Sequence, residues 1–363
     1  MNIRWLSSWI ICAALLFGGE LPANDLIPTD PLFVPARPSH LAQTSQLVDI
    51  TRAGDRIVTV GWRGHILYSD DQGNSWAQAQ VPVSVDLTAV SFPSPSKGWA
   101  VGHGGVILHS EDGGATWIKQ QDGFLTHKLL EDFYRKRLEH ASEEQKPEFE
   151  NLLAQVQLNY GTGPEQPWLD VWFDDEMHGY VVGTFNLILE TRDGGLSWIP
   201  LMEQIDNPEA LHLDAIARIG GELYIASERG TIFRLDPQEN RFATLQTGYL
   251  GTLFGIVGNR DVVVVYGLRG NAFRSTDQGR SWAQINTGTK STLIGATNFK
   301  NERIALVSQA GQLLLGDALA TQFNVIQRSG GSSLTAIDQI SERSIALVGI
   351  AGVQIEATPQ LGK

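Results

Sequence analysis

One eight-residue turn, Ser69-Asp70-Asp71-Gln72-Gly73-Asn74-Ser75-Trp76, is written four times in this chain, recurring over 110–117, 191–198 and 275–282. Each copy reads Ser or Thr, any residue, Asp, any residue, Gly, any residue, Ser or Thr, then Trp. The short Asp side chain (Asp71, Asp112, Asp193, Asp277) suits capping of backbone N–H groups in its own turn. The Gly (Gly73, Gly114, Gly195, Gly279) supplies a positive φ without Cβ strain. The Trp (Trp76, Trp117, Trp198, Trp282) starts a strand and offers a large ring for burial against the neighbouring sheet. Four copies make the chain a repeat protein, and a repeat must be read before any other fold assignment.

A second marker gives the period. A small residue opens a tight loop at Gly61-Trp62-Arg63-Gly64, and the same loop position returns at 102–105, 183–186, 227–230, 267–270, 308–311 and 349–352. The loop ends fall at Gly64, Gly105, Asn186, Gly230, Gly270, Gly311 and Gly352, so every interval but one is close to 41 residues. That is the length of a four-stranded propeller blade. The first unit reads as strands over 47–51, 56–60, 65–69 and 75–81. The innermost strand of each unit carries Asp, Ala or Gly at its third position (Asp49, Ala89, Asp170, Ala215, Gly255, Gly295, Ala336), as crowding around a narrow axis demands. The expected fold is all-β: a seven-bladed β-propeller over residues 45–357.

The long interval holds the one non-repeating piece. Leu129, Leu130, Phe133, Tyr134, Arg137, Leu138 and Ala141 follow helical spacing, and Pro147 opens a second pattern through Phe149, Leu152, Leu153 and Val156. The spacing predicts an α-helical hairpin over 124–163 between blades two and three, packed on the propeller rim or serving as a docking arm. The last unit reads only three strands, and the Pro-rich lead-in over 24–44 is expected to supply the missing one from Leu32 to Ala36, closing the ring.

Arg4 precedes an apolar run from Trp5 to Phe17, followed by Gly18, Gly19 and Ala23. This order predicts a cleaved signal peptide over 1–23 and a periplasmic or otherwise exported protein with no membrane insertion after cleavage. The sole cysteine, Cys12, lies in that run, so no disulfide or thiol chemistry is expected in the mature chain. The net charge of −13 argues against nucleic acid as partner. His65, His103, His109 and His127 lack metal-ligand spacing, and Gly102 to Gly105 leads into a strand rather than a helix; neither a metal, a cofactor nor a catalytic set is expected. Asp49, Asp170 and Asp338 are the weaker candidates for holding a cation in the channel.

The eight-residue turns resemble the Asp-box, or bacterial neuraminidase repeat. The pattern Gly-x-x-Gly, strand, Ser-x-Asp-x-Gly-x-Ser-Trp from Gly267 to Trp282 is similar to that of the photosystem II stability and assembly factor family and its bacterial relatives. The resemblance implies a non-enzymatic exported scaffold that assists assembly or operation of a membrane protein complex, and an exporter of the RND class is the partner it suggests outside photosynthesis. The alternative is a carbohydrate-binding or sialidase-like propeller. A sialidase resemblance would imply a catalytic Tyr, yet Tyr68, Tyr180, Tyr224 and Tyr266 fall in expected strands, and the Phe/Tyr-Arg-Ile-Pro sequence of that family is missing.

Because hairpin turns alternate between the two faces of the disc, the Gly-x-x-Gly loops and the Asp-boxes lie on opposite faces. The candidate binding residues are therefore Arg63, Arg229 and Arg269, with Trp62, His103 and Phe185 beside them. Three arginines in an acidic protein suit carboxylates or phosphates. As solvated loop residues they would instead pair with neighbours such as Glu228.

Overall fold

Alternating apolar residues make short strands, and the turn chemistry between them makes each unit a meander. In the first unit Leu47–Ala53, Arg56–Gly61, Ile66–Ser69 and Ala77–Gln78 pair in that order, each antiparallel to the next. The outer strand is shorter than the sequence suggests, with only two paired residues instead of 75–81. The computed structural model describes residues 30–326, 328 and 330–359; the expected signal peptide over 1–23 lies outside the described residues. Among the described residues there are six four-stranded sheets and one of three strands. The innermost strands, Leu47–Ala53, Leu87–Ser91, Trp168–Phe173, Leu213–Ile219, Leu253–Gly258, Leu293–Asn298 and Leu334–Gln339, each pack on the next, and the last returns to the first. The result is the expected ring of seven blades.

Every inner strand carries an irregularity that the sequence did not announce. Its pairing register slips by one residue between the first and third positions, as between Leu47 and Asp49 or Leu87 and Ala89. Such a bulge turns the second residue out of the ladder. In two blades that residue is a Thr reaching across the boundary: the Thr88 hydroxyl donates to the Trp168 carbonyl at 2.8 Å and the Thr335 hydroxyl to that of Leu47 at 2.9 Å. The second of these bonds joins the last blade to the first.

Closure does not use the expected strand. Pro31–Phe33 forms a short helical turn, the Ser84 N–H donates to the Pro31 carbonyl at 2.9 Å, and the Ala36 N–H to that of Val81 at 3.0 Å. Leu32 is buried against Val58, Val83 and Val106 in the core of blades one and two. The lead-in is therefore tied to the connection between the first two blades, and the seventh sheet keeps three strands: Leu334–Gln339, Ser344–Gly349 and Gly352–Ala357. Prolines at 31, 35 and 38 fix φ and remove N–H donors, which disfavours a continuous ladder strand there.

The four Asp-box turns are built alike. In the first, the Ser69 hydroxyl donates to Asp71 Oδ1 and accepts from the Gly73 N–H at 2.8 Å, while Asp71 receives the N–H and hydroxyl of Ser75 at 2.8 and 2.6 Å. Ser281 and Asp277 repeat the last pair at 2.9 and 2.6 Å. The Ser281 hydroxyl, followed by its N–H, holds the Asp277 carboxyl down at about 2. Blade six, which lacks the Ser, Gly and Trp, keeps the same cap between Asp317 and Thr321.

The insertion forms α1 (Gly123–Glu139) and α2 (Lys146–Asn159). Asp122 caps α1, accepting from the Phe124 and Leu125 N–H groups at 3.1 Å. Leu130 and Tyr134 of α1 and Phe149, Leu152 and Val156 of α2 are buried with Trp168, Met202 and Ile205, so the apolar stripes pack on the propeller and on each other. Buried Glu203 is held by the Tyr134 hydroxyl at 2.8 Å and by Arg137 at 3.4 Å. No helix among the described residues is long and apolar enough to cross a membrane.

Candidate functional site

The loops at the Gly-x-x-Gly position are tight turns, and in blades one to five they hold two successive left-handed residues, whereas blades six and seven hold only one, Gly311 and Gly352. Arg63 has φ 56° and Gly64 φ 71°, and the His65 N–H closes the turn on the Trp62 carbonyl at 3.1 Å. The opening glycine is forced by proximity: a Cβ on Gly61 would stand 2.4 Å from the Gln46 carbonyl oxygen, and one on Gly267 2.0 Å from that of Thr252. The next residue donates to that same carbonyl, Trp62 at 3.2 Å and Leu268 at 3.1 Å. Each loop is thus clamped to the entry of its own blade, which fixes where the following side chain projects.

Arg63, Arg229 and Arg269 occupy the same left-handed position, with φ of 56°, 54° and 57°. A bulky side chain there costs roughly 1–2 kcal/mol that glycine, present as Gly104 in blade two, avoids. All three arginines are exposed on one face, but the ring does not gather them into one cluster. Arg229 and Arg269 belong to the neighbouring blades four and five, while Arg63 belongs to blade one across the ring. Arg229 pairs with Glu209, not with Glu228, whose carboxylate accepts the His212 N–H. The Arg63 and Arg269 guanidinium groups have no ion pair among the described residues.

Trp62, His103 and Phe185 are exposed on this face, with Phe185 set edge-on against His212 at 4.8 Å. Sequence reasoning missed other exposed apolar side chains here. Leu250 precedes an inner strand, and Ile350 sits in the turn of blade seven. Their signal was available, as apolar residues at turn positions. The helical hairpin leaves from this face too, because it joins the outer strand of blade two to the inner strand of blade three.

The axis is lined with acid. Asp49 receives the Ile50 N–H at 2.8 Å and, from the next blade, that of Val90 at 2.9 Å; Asp170 receives those of Val171 and Ile216, both at 2.8 Å. Asp338 accepts from the Gln339 N–H at 2.8 Å and the Thr297 hydroxyl at 3.2 Å. These carboxylates act as struts between blades; no three His, Cys, Asp or Glu groups among the described residues are placed to hold a metal. Burial outweighs the hydrogen bonds, raising Asp49 to about 6, Asp170 to about 7 and Asp338 to about 6. Burial, with the Glu228 charge second, raises Asp214 to about 8, and its Oδ2 has no partner. The strand tyrosines Tyr180, Tyr224 and Tyr266 are buried as packing residues.

Solved structures share this architecture. One described as YCF48 bound to D1 peptide aligns with a TM-score of 0.63 at 14% identity, over 88% of this chain and 95% of that one. YCF48 from Cyanidioschyzon merolae aligns at 0.60 and 15% identity, over 88% and 97%. The photosystem II assembly lipoprotein Ycf48 of Prochlorococcus marinus (strain MIT 9313) is 39% identical over 61 residues, a match spanning 17% of each chain. The family described as photosynthesis system II assembly factor YCF48 matches residues 34–144 and 151–246, more than half of the sequence, and the chain belongs to that family.

Proposed function

We propose that the protein is a non-enzymatic, exported scaffold that binds a segment of a membrane protein on its turn face and assists assembly or operation of the complex. The observation that carries this reading is a turn face that presents Arg63 and Arg269 on opposite sides of the ring, two guanidinium groups without an ion pair among the described residues, held at left-handed positions. They share a face with exposed Trp62, Phe185, Leu250 and Ile350. Guanidinium groups bind carboxylates bidentately, and aromatic and aliphatic groups on the same face suit the apolar residues of a membrane protein tail or loop. The relative solved with a D1 peptide supports a membrane protein segment as the class of ligand. The apolar run from Trp5 to Phe17 supports export.

Mild crosslinking and pull-down from membranes tests the reading. Wild-type protein is expected to recover a membrane protein, and the double variant Arg63→Glu, Arg269→Glu to lose it while keeping its melting temperature. Undiminished recovery by the double variant rejects the turn face as the contact surface.

A further inference from the structure

The helical hairpin carries a cavity of its own. It has a volume of about 370 Å³ and lies between the last turn of α1 and the first turn of α2. Phe133, Ala141 and Phe149 form its apolar wall, Lys136, Arg137 and His140 form its polar side, and Gln145 completes the lining among the described residues. Among the described residues no carboxylate lines it, in a chain of net charge −13. Basic residues in a last helical turn ordinarily answer the helix dipole, and His140 does so by donating from Nδ1 to the Lys136 carbonyl at 2.9 Å. Arg137 does something else. Its guanidinium lies 5.0 Å from the centre of the Phe149 ring and 5.9 Å from that of Phe133, braced by Glu203 yet half exposed. Glu143 in the connecting loop pairs with Lys146.

We infer that this cavity is a binding site for a small organic carboxylate with an apolar body, the ring or chain seated against Phe133 and Phe149 and the anion held by Lys136 and Arg137. The volume lies in the range of roughly 300–1,000 Å³ typical of small-molecule sites. The charge on its rim selects an anion over a cation or a neutral amphiphile. The site is separate from the turn-face arginines and stands or falls without them.

Calorimetric titration of the full chain with 4-phenylbutyrate, 4-phenylbutanol and 4-phenylbutylamine tests this. The carboxylate is expected to bind at least tenfold more tightly than the alcohol, and the amine not at all. Lys136→Glu with His140→Glu, both at exposed positions, is expected to weaken the carboxylate at least tenfold; Ala141→Leu, which fills the cavity, should weaken carboxylate and alcohol together. Equal binding of acid and alcohol overturns the inference, as do no binding at millimolar concentration and unchanged binding by both variants. Membrane pull-down by the Lys136→Glu, His140→Glu variant is expected to match wild type, which separates this site from the turn face.

Discussion

The carboxylate of Asp49 accepts the backbone N–H of Val90 at 2.9 Å, tying the inner strand of blade one to that of blade two. Asp170 does the same to Ile216 of blade four. Both groups are half-buried at the inner strands, so the bond that holds the ring also places a titrating group where partial desolvation makes a charge costly.

Stability is therefore expected to fall as pH rises through the range of these groups. Asp49 and Asp170 are raised to about 6 and about 7, against about 3.9 in an unfolded chain. The folded state holds their protons over that interval, and the stability this lends is lost as pH rises through 6 and 7. The melting temperature should drop between pH 5 and pH 8, and Asp170→Asn should flatten the slope even though it weakens one strut. An unchanged slope in that variant would rule out Asp170 as a source.

The Asp-box carboxylates work in the opposite direction. Asp277 is held at about 2 by Ser281, so its contribution is present above pH 4 and is lost as pH falls towards 2. Within the same turn Gly279 has φ +84°, and a Cβ there would stand 2.6 Å from the Leu245 side chain. Gly279→Ala is expected to cost about 1–3 kcal/mol, read by denaturant unfolding.

Tyr134 donates to Glu203 at 2.8 Å within the interface between hairpin and propeller. Tyr134→Phe removes that hydrogen bond from a carboxylate whose pKa burial already raises, leaving Arg137 and its own backbone N–H as partners. The expected cost is about 1–3 kcal/mol. Hydrogen exchange should speed up along α1 and α2 while the inner strands stay protected.

Leu32 fastens the lead-in to blades one and two. Leu32→Ala should cost about 2–5 kcal/mol if the site does not collapse. Exchange should rise at the Ala36 and Ser84 amides, whose acceptors are Val81 and Pro31. Faster exchange along Gly352–Ala357 instead would mean that the segment serves blade seven after all.

The blade count was written in the sequence because it rests on chemistry internal to each repeat. An Asp that caps its own turn, as Asp71 does for Ser75, or a glycine such as Gly61 that must clear the Gln46 carbonyl, needs only nearby residues, so its spacing marks the blade. The two helices were legible for the same reason, through a period that depends on the helix alone. What the tertiary structure decided was everything that crosses from one blade to another. The lead-in was read as a strand, but its path depends on a pocket formed by Val58, Val83 and Val106. Arg63, Arg229 and Arg269 look equivalent in the sequence, yet the ring sets two together and one apart, and Glu209 reaches only Arg229. The raised carboxylates Asp49 and Asp170 follow from desolvation by neighbouring inner strands, a property of the closed ring that no single repeat contains.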